Sequence, residues 1–498
     1  MTLSPTRRRL LLVSLFTVSF LGAVDHTIVS TALATIAGDL GALAQMSWVI
    51  VGYTLAATVT LPLLGKLGDE LGARRVFLAS LALFIVASVA CGFAQDMTQL
   101  VIARVVQGIS SAGLQLMSQT IVASVTTPRE RPRLLSILGA SFPVAIVVGP
   151  LVGGVISDHL GWPWVFWINV PLGVAALVLA SVAIPHIEGT PRGRFDVAGA
   201  ITFTIGLVSL VLAVGWITNP DLTGASLILI AISAVFFTAF VLIDLRVDDP
   251  FVPLSIFRNR SVSAGIALSA IIGIGLFSVV SYIPTYIQMA YRTTATASGF
   301  VPMAIVFGML VANLTTGALS SRTGRYRGFA IAGTSLAASG LLVMSLLPTG
   351  LPLWVPIVVM ATVGLGTGAF MSLVIAVVQS AVDRSQIGVV TATTNLVRQV
   401  GSTLGTAIIG GIIGVGILSG LPDSVDASTL TPEVARGTSE AVQLAIAAAY
   451  GDVMRPVFGA LAGVYGLGII AALLLPAGRL SDEQPSMAPE PQSQSQNA

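Results

Sequence analysis

The amino-acid sequence predicts an all-α polytopic membrane protein of fourteen spanning helices, and three observations carry that prediction. Of 498 residues, 55% are hydrophobic and only 9% charged, against roughly a quarter charged in soluble domains. No aqueous core could enclose that much apolar surface. The mean hydropathy of +0.93 is spread along the whole chain instead of marking one anchor, so the bilayer must be the main solvent. Finally, apolar runs of about 17 or more residues, cut by Gly, Pro and charge, recur along the chain.

The first run, 11–36, follows Arg7, Arg8 and Arg9. It is longer than a signal-peptide core and lacks a small-residue cleavage site, so it reads as a retained helix. Five more spans follow at 48–64, 76–93, 100–125, 134–156 and 165–184. A pair at 197–217 and 227–245 comes next, then six at 262–287, 299–319, 329–347, 353–378, 390–418 and 453–475. The longest connection, 419–452, should carry a short helix opened by Thr431, Pro432 and Glu433, a cap, a first-turn proline and an acid.

Lys and Arg in short loops favour the cytoplasm. With the N-terminus inside, 19 of the 24 cations fall on inner loops, leaving Arg292, Arg436 and Arg455 outside and Arg104 and Arg398 within helices. Tryptophan prefers the membrane interface, and Trp48, Trp162, Trp164, Trp167, Trp216 and Trp354 then all fall near the outer edge. Both termini are expected in the cytoplasm and the chain in the cell inner (plasma) membrane.

An internal repeat organises the spans. Gly65, Leu67, Asp69, Gly72 and Arg75 recur as Gly317, Leu319, Ser321, Gly324 and Arg327, a displacement of 252 residues. Val148, Gly149, Gly153 and Ile156 recur as Val400, Gly401, Gly405 and Ile408 at the same displacement. Parallel six-helix repeats with a substrate site between them near the midplane form one large transporter architecture. The expected division is a first six-helix bundle at 1–190, a linker and two inserted helices at 191–250, a second bundle at 251–480, and a disordered cytoplasmic tail at 481–498. The linker carries Arg192, Arg194 and Asp196.

Several function classes drop out. A single Cys91 excludes an internal disulfide framework. The basic residues are scattered between apolar spans, as topology signals and not as a nucleic-acid surface. A phosphate-binding loop needs Lys followed by Ser or Thr, but the only lysine, Lys66, precedes Leu67, so an ion gradient is left as the energy source. His26, His159 and His186 lie far apart, which argues against an enzyme. Neither a metal nor a cofactor is expected.

Several segments resemble the major facilitator superfamily. Gly65-Lys-Leu-Gly-Asp69-Glu-Leu-Gly72-Ala-Arg74-Arg75 is similar to its helix 2–3 signature, Gly149-Pro150-Leu-Val-Gly153-Gly154 to its antiporter motif, and Arg104-Val-Val-Gln107-Gly108 to its fourth-helix motif. Val24-Asp25-His26-Thr27-Ile28-Val29 and Trp162-Pro-Trp-Val-Phe-Trp-Ile168-Asn169-Val-Pro171 resemble patterns of the fourteen-span drug:H+ antiporter branch. The resemblance implies the major facilitator fold and proton-coupled efflux of small amphipathic or cationic compounds by alternating access. Export of an endogenous lipid, metabolite or siderophore, or uncoupled facilitation, is the alternative. The expected partners are a small-molecule substrate, protons and the lipid bilayer, and the working unit is a monomer.

Asp25 is the clearest acid inside a span, and such acids are functional candidates because burying their charge is costly. Helix 1 reaches Asp25 after about fourteen residues and helix 4 reaches Arg104 after about five from the opposite side. At roughly 1.5 Å per residue the two share one depth. Desolvation raises a carboxyl pKa and a nearby cation lowers it, so an Asp that gains and loses Arg104 can trade a proton; a permanent structural ion pair is the plainer reading. Asp69, beside Arg74 and Arg75, is expected to pin a cytoplasmic gate through bonds to loop arginines or helix-end amides. Gly149, Pro150, Gly153 and Gly154 allow close helix approach and bending. His26, Tyr282, Tyr286, Gln288, Asn313 and Arg398 are the candidates for a substrate cavity, with Pro284 bending the helix that bears the tyrosines.

Overall fold

A computed structural model describes residues 4–40, 46–189, 196–216, 222–247, 250–420 and 432–481. Arg192 and Arg194, the cap Thr431 and all of the expected tail beyond Ser481 lie outside these residues.

Among the described residues, fourteen helices are long and apolar enough to cross a membrane. The first six are α1 (Pro5–Leu33), α2 (Met46–Leu71), α3 (Ala73–Gly92), α4 (Met97–Val125), α5 (Arg131–Ser157) and α6 (Pro163–Ala183). Then come α7 (Val197–Trp216) and α8 (Thr223–Asp244). The last six are α9 (Arg260–Ala290), α10 (Ala295–Thr323), α11 (Arg327–Leu346), α12 (Trp354–Ser380), α13 (Arg384–Ile417) and α14 (Glu440–Leu474). Among the described residues the one isolated β-bridge joins Arg325 to Arg479.

Local chemistry explains many of the ends. Asp96 caps α4 by accepting from the Gln99 amide at 2.8 Å, and Thr294 caps α10 at the Ala297 amide. Between α2 and α3 the chain turns at Gly72, whose φ is +91°. A side chain there is strained, and a Cβ would also run into the Ile187 carbonyl.

One boundary differs from expectation. Residues 440–452 belong to α14, which runs unbroken for 35 residues, and the short helix Pro432–Gly437 precedes it. Asp452 looks like a span limit in a hydropathy count, but its side chain is exposed, and the Ala-rich stretch before it is strongly helix-forming. At about 1.5 Å per residue the helix is longer than the hydrocarbon layer, so an end projects beyond it.

Spans α9 to α14 share one apolar core, built on residues such as Ile272, Phe370 and Phe458. Within the first six, Phe77 and Phe84 anchor a core that extends to Phe203 and Phe240 of the inserted pair. The inserted helices pack on each other, and α7 leans on α2 and α13.

Contacts across the molecule follow the 252-residue register. A Cβ on Gly65 of α2 would lie 2.9 Å from the Gly388 carbonyl of α13. At the matching positions, a Cβ on Gly317 of α10 would meet the Ser136 side chain and lie 2.8 Å from the Pro132 carbonyl of α5. Glycine lets the two helices of each pair touch backbone to backbone.

Candidate functional site

The site is assembled from α1 and α4. Asp25 lies in the second half of α1 and is 0% exposed, and Arg104 in the second turn of α4 is 1% exposed. Nη1 of Arg104 donates to Asp25 Oδ2 at 2.6 Å. The fourth-helix spacing puts Gln107 one turn after Arg104 on the same face, where its Nε2 donates to Asp25 Oδ1 at 2.9 Å and to Ser88 Oγ at 2.8 Å. Asn169 of α6 donates to Asp25 Oδ1 at 2.8 Å. The carboxylate thus accepts three bonds from three side chains, the satisfaction a buried charge requires.

Arg104 is held from its other side by aromatic faces. Its guanidinium carbon stands 4.1 Å from the Tyr53 ring centroid and 5.8 Å from that of Phe166, an arrangement favourable to a desolvated cation. Tyr53 donates its hydroxyl to Ser111 at 2.7 Å and meets the His26 ring at 5.8 Å. Both Tyr53 and His26 line a central cavity, whereas Asp25 and Arg104 do not. The Tyr53 ring is therefore the partition between cavity and ion pair.

The cavity has a volume of about 260 Å³ and lies between the first and last six spans. Residues of α1, α2, α4 and α5 face residues of α9, α12 and α13 across it. Phe142 of α5 and Phe277 of α9 meet with centroids 6.0 Å apart. Phe277 stands 252 residues after Asp25, so the repeat places an aromatic ring where the first half carries its acid. Helix α9 reaches this point through a π-helical turn, Gly273–Phe277, a form common at functional sites.

Of the six residues expected around a cavity, the structure brings His26 and Arg398 to it. The other four it places elsewhere. Tyr286 is 1% exposed and packs its ring on Phe458 and Tyr291, and Tyr282 donates to the Thr406 carbonyl at 2.7 Å. Gln288 accepts the Thr293 amide at its carbonyl near the end of α9. Asn313 donates to the Ser136 carbonyl at 2.9 Å, joining α10 to α5. The tyrosines do share a helix, but tertiary packing turns them toward neighbouring helices and away from the cavity.

The N-terminal side of the cavity is closed by bonds between the first and last six spans. Asp69 accepts the amides of Gly388 at 2.8 Å and Val389 at 2.9 Å, the first turn of the regular helix in α13. Helix-end amides are therefore among the partners of Asp69, and a carboxylate is stabilised there by aligned N–H groups and the helix dipole. Arg74 instead donates to the Ser181 carbonyl at 2.6 Å, and the Arg75 side chain is exposed. Arg131 donates to the Gln379 carbonyl at 2.9 Å and Arg129 to that of Arg322 at 2.7 Å. Thr58 also joins the two groups of spans, donating to Gln399 at 2.5 Å.

The antiporter-motif glycines flank the site. A Cβ on Gly149 would strike Thr27, and one on Gly153 would strike Thr31 and crowd the Ile28 carbonyl. These two residues seat α5 against the stretch of α1 that follows Asp25. Gly154 has open space at its Cβ position, and Pro150 sits inside the helix.

Tyr53, which lines the cavity and covers Arg104, is the wall residue that sequence reasoning missed. Its only signal was a polar aromatic inside a span. Gln107 and Asn169 appeared within motifs but without an assigned partner.

Fourteen apolar helices among the described residues, seven of them lining a central cavity with a neutralised acid behind its wall, define a multi-pass membrane transporter. The chain belongs to the Major Facilitator Superfamily, whose sequence profile matches residues 15–406. An MFS-type transporter of Mycobacterium tuberculosis, Rv1877, is 33% identical over 491 residues, covering 96% of this chain and 71% of that one. The multidrug transporter protein MdtP of Bacillus subtilis is 31% identical over 82% of this chain and 76% of its own length. Among solved structures, the human organic anion transporter MFSD10 superposes with a TM-score of 0.60 at 15% identity, over 94% of this chain and 100% of that one. At that identity the likeness speaks to the fold alone.

Proposed function

We propose that the protein exports small amphipathic molecules across the plasma membrane in exchange for protons, working as a monomer by alternating access. The observation that carries this reading is the Asp25 carboxylate, fully buried yet one ring away from the cavity and bonded to Arg104, Gln107 and Asn169. A carboxylate so placed releases its proton when Arg104 is near and takes one up when that cation withdraws. Tyr53 and His26 stand on the path between that exchange and the cargo space.

With the N-terminus in the cytoplasm, the bonds of Asp69, Arg129 and Arg131 form the cytoplasmic gate, and this conformation faces outward. Protonation of Asp25 from outside would then loosen its hold on Arg104, and the two bundles would rock about the cavity until the gate parts. MdtP is named a multidrug transporter, which supports small organic molecules as the cargo.

The test is transport in proteoliposomes under an imposed pH gradient. The wild type should move a fluorescent amphiphile against its gradient, and Asp25→Asn should lower the gradient-driven rate by about two orders of magnitude with protein still inserted and folded. Full gradient-driven export by Asp25→Asn would end this reading.

A further inference from the structure

One buried arginine, in the wall of the cavity, has no counter-charge among the described residues. Arg398 lies on α13, is 7% exposed and lines the cavity. Its Nη2 donates to Asn395 Oδ1 at 2.6 Å. Among the described residues no carboxylate lies within ion-pair distance of it. A guanidinium offers five N–H donors in a planar fork suited to an oxyanion, and a cation removed from water calls for an opposite charge. Asp25 cannot supply it, because both its oxygens are committed on the far side of Tyr53.

The cavity wall therefore holds a fixed positive charge and no fixed negative one among the described residues. Apolar surface faces that charge, with Phe142 and Phe277 in ring contact and Leu138 and Met371 beside them. Gly273 makes the arrangement possible, since any side chain there would collide with the Arg398 carbonyl.

We propose that Arg398 is the cargo-recognising residue and that the cargo is a small amphipathic anion. Its carboxylate head takes the fork of Arg398 and its apolar body lies on the Phe142–Phe277 pair. This deepens the proposed function by naming the substrate class and rests on the cavity being the transport site. Cargo binding also reaches the gate. Asn395, the present acceptor for Arg398, donates to Gln119 Oε1 at 2.8 Å across the two groups of spans, so an anion that displaces Asn395 loosens that link. The charge balance follows. Exporting one monoanion for one entering proton moves two positive charges inward, whereas exporting a monocation moves none.

Full-length protein in nanodiscs is titrated with a dansyl-labelled medium-chain carboxylic acid at a pH where it is ionised, with its neutral amide, and with its trimethylammonium analogue. The carboxylate should bind at least about tenfold more tightly than either analogue. Arg398→Gln should erase that preference and Arg398→Lys should keep part of it, since the charge remains but the fork is lost. Equal or tighter binding of the amide or ammonium by wild type overturns the proposal, whether or not the variants fold; so does a carboxylate preference surviving in folded Arg398→Gln. The titration needs no gradient, so failure of proton coupling in proteoliposomes leaves it readable, and loss of the carboxylate preference leaves proton coupling readable. In the proteoliposomes, an inside-negative potential should accelerate carboxylate export.

Discussion

Arg104 and Arg398 pose the same physical problem and receive opposite solutions. Each is a guanidinium inside a helical bundle, 1% and 7% exposed respectively. Arg104 is neutralised by Asp25 at 2.6 Å and roofed by Tyr53 at 4.1 Å, out of reach of the cavity. Arg398 borders the cavity and leans on a neutral amide. A charge that brings its own counter-ion suits a coupling device, because the pair can be made and unmade within the protein. A charge left without one suits recognition, because the missing partner arrives from outside.

That contrast is sharpened most by stability. Arg104→Gln strands a buried carboxylate and should cost about 3 kcal/mol or more, seen as a large fall in melting temperature in detergent. Arg398→Gln removes an unpaired charge and should change stability by less than about 1 kcal/mol; equal losses in the two variants would erase the distinction. Next in size is the gate. Asp69→Asn weakens two charge-assisted bonds and can no longer satisfy both amides as an acceptor. It should shift the balance toward the opened cytoplasmic side by roughly 2 kcal/mol, read as faster alkylation of a cysteine placed at Ser136 in a Cys91→Ser background.

Gly65→Val drives a branched side chain into the Gly388 backbone and should cost about 1–3 kcal/mol of closed gate, with the same alkylation readout. Its repeat-related counterpart Gly317→Val should act in the same direction, and a silent result there would break the pseudo-symmetry between the two contacts. The smallest effect belongs to Tyr53→Phe. It loses the bond to Ser111, worth about 1 kcal/mol, yet keeps the ring over Arg104, so export should fall only severalfold, whereas Tyr53→Ala should approach the Arg104→Gln phenotype.

Legibility in the sequence varied with the kind of information each feature needs. A charge in an apolar run is conspicuous wherever it sits, and counting residues at a fixed rise gives its depth, so Asp25 and Arg104 could be matched before any packing was known. Asp69 stood out as a candidate gate residue, but the amides of Gly388 and Val389 that it accepts lie 319 and 320 residues away and left no local mark. The four-residue spacing of Tyr282 and Tyr286 correctly put both on α9. Helical periodicity fixes which residues are neighbours on a helix, not which neighbour each of them meets, and Tyr286 went to Phe458.

Composition and pattern by themselves determined the class of solvent, the fourteen spans, the 252-residue repeat and the depth of the interior charges, because these depend on hydropathy, helical rise and residue order along one chain. Tertiary structure alone decided that Tyr53 walls the acid from the cavity, that α14 extends back to Glu440, and that Arg104 meets a carboxylate while Arg398 meets a neutral amide. Those outcomes depend on which faces of distant helices meet, and the free energy of that choice is summed over contacts that no local segment contains.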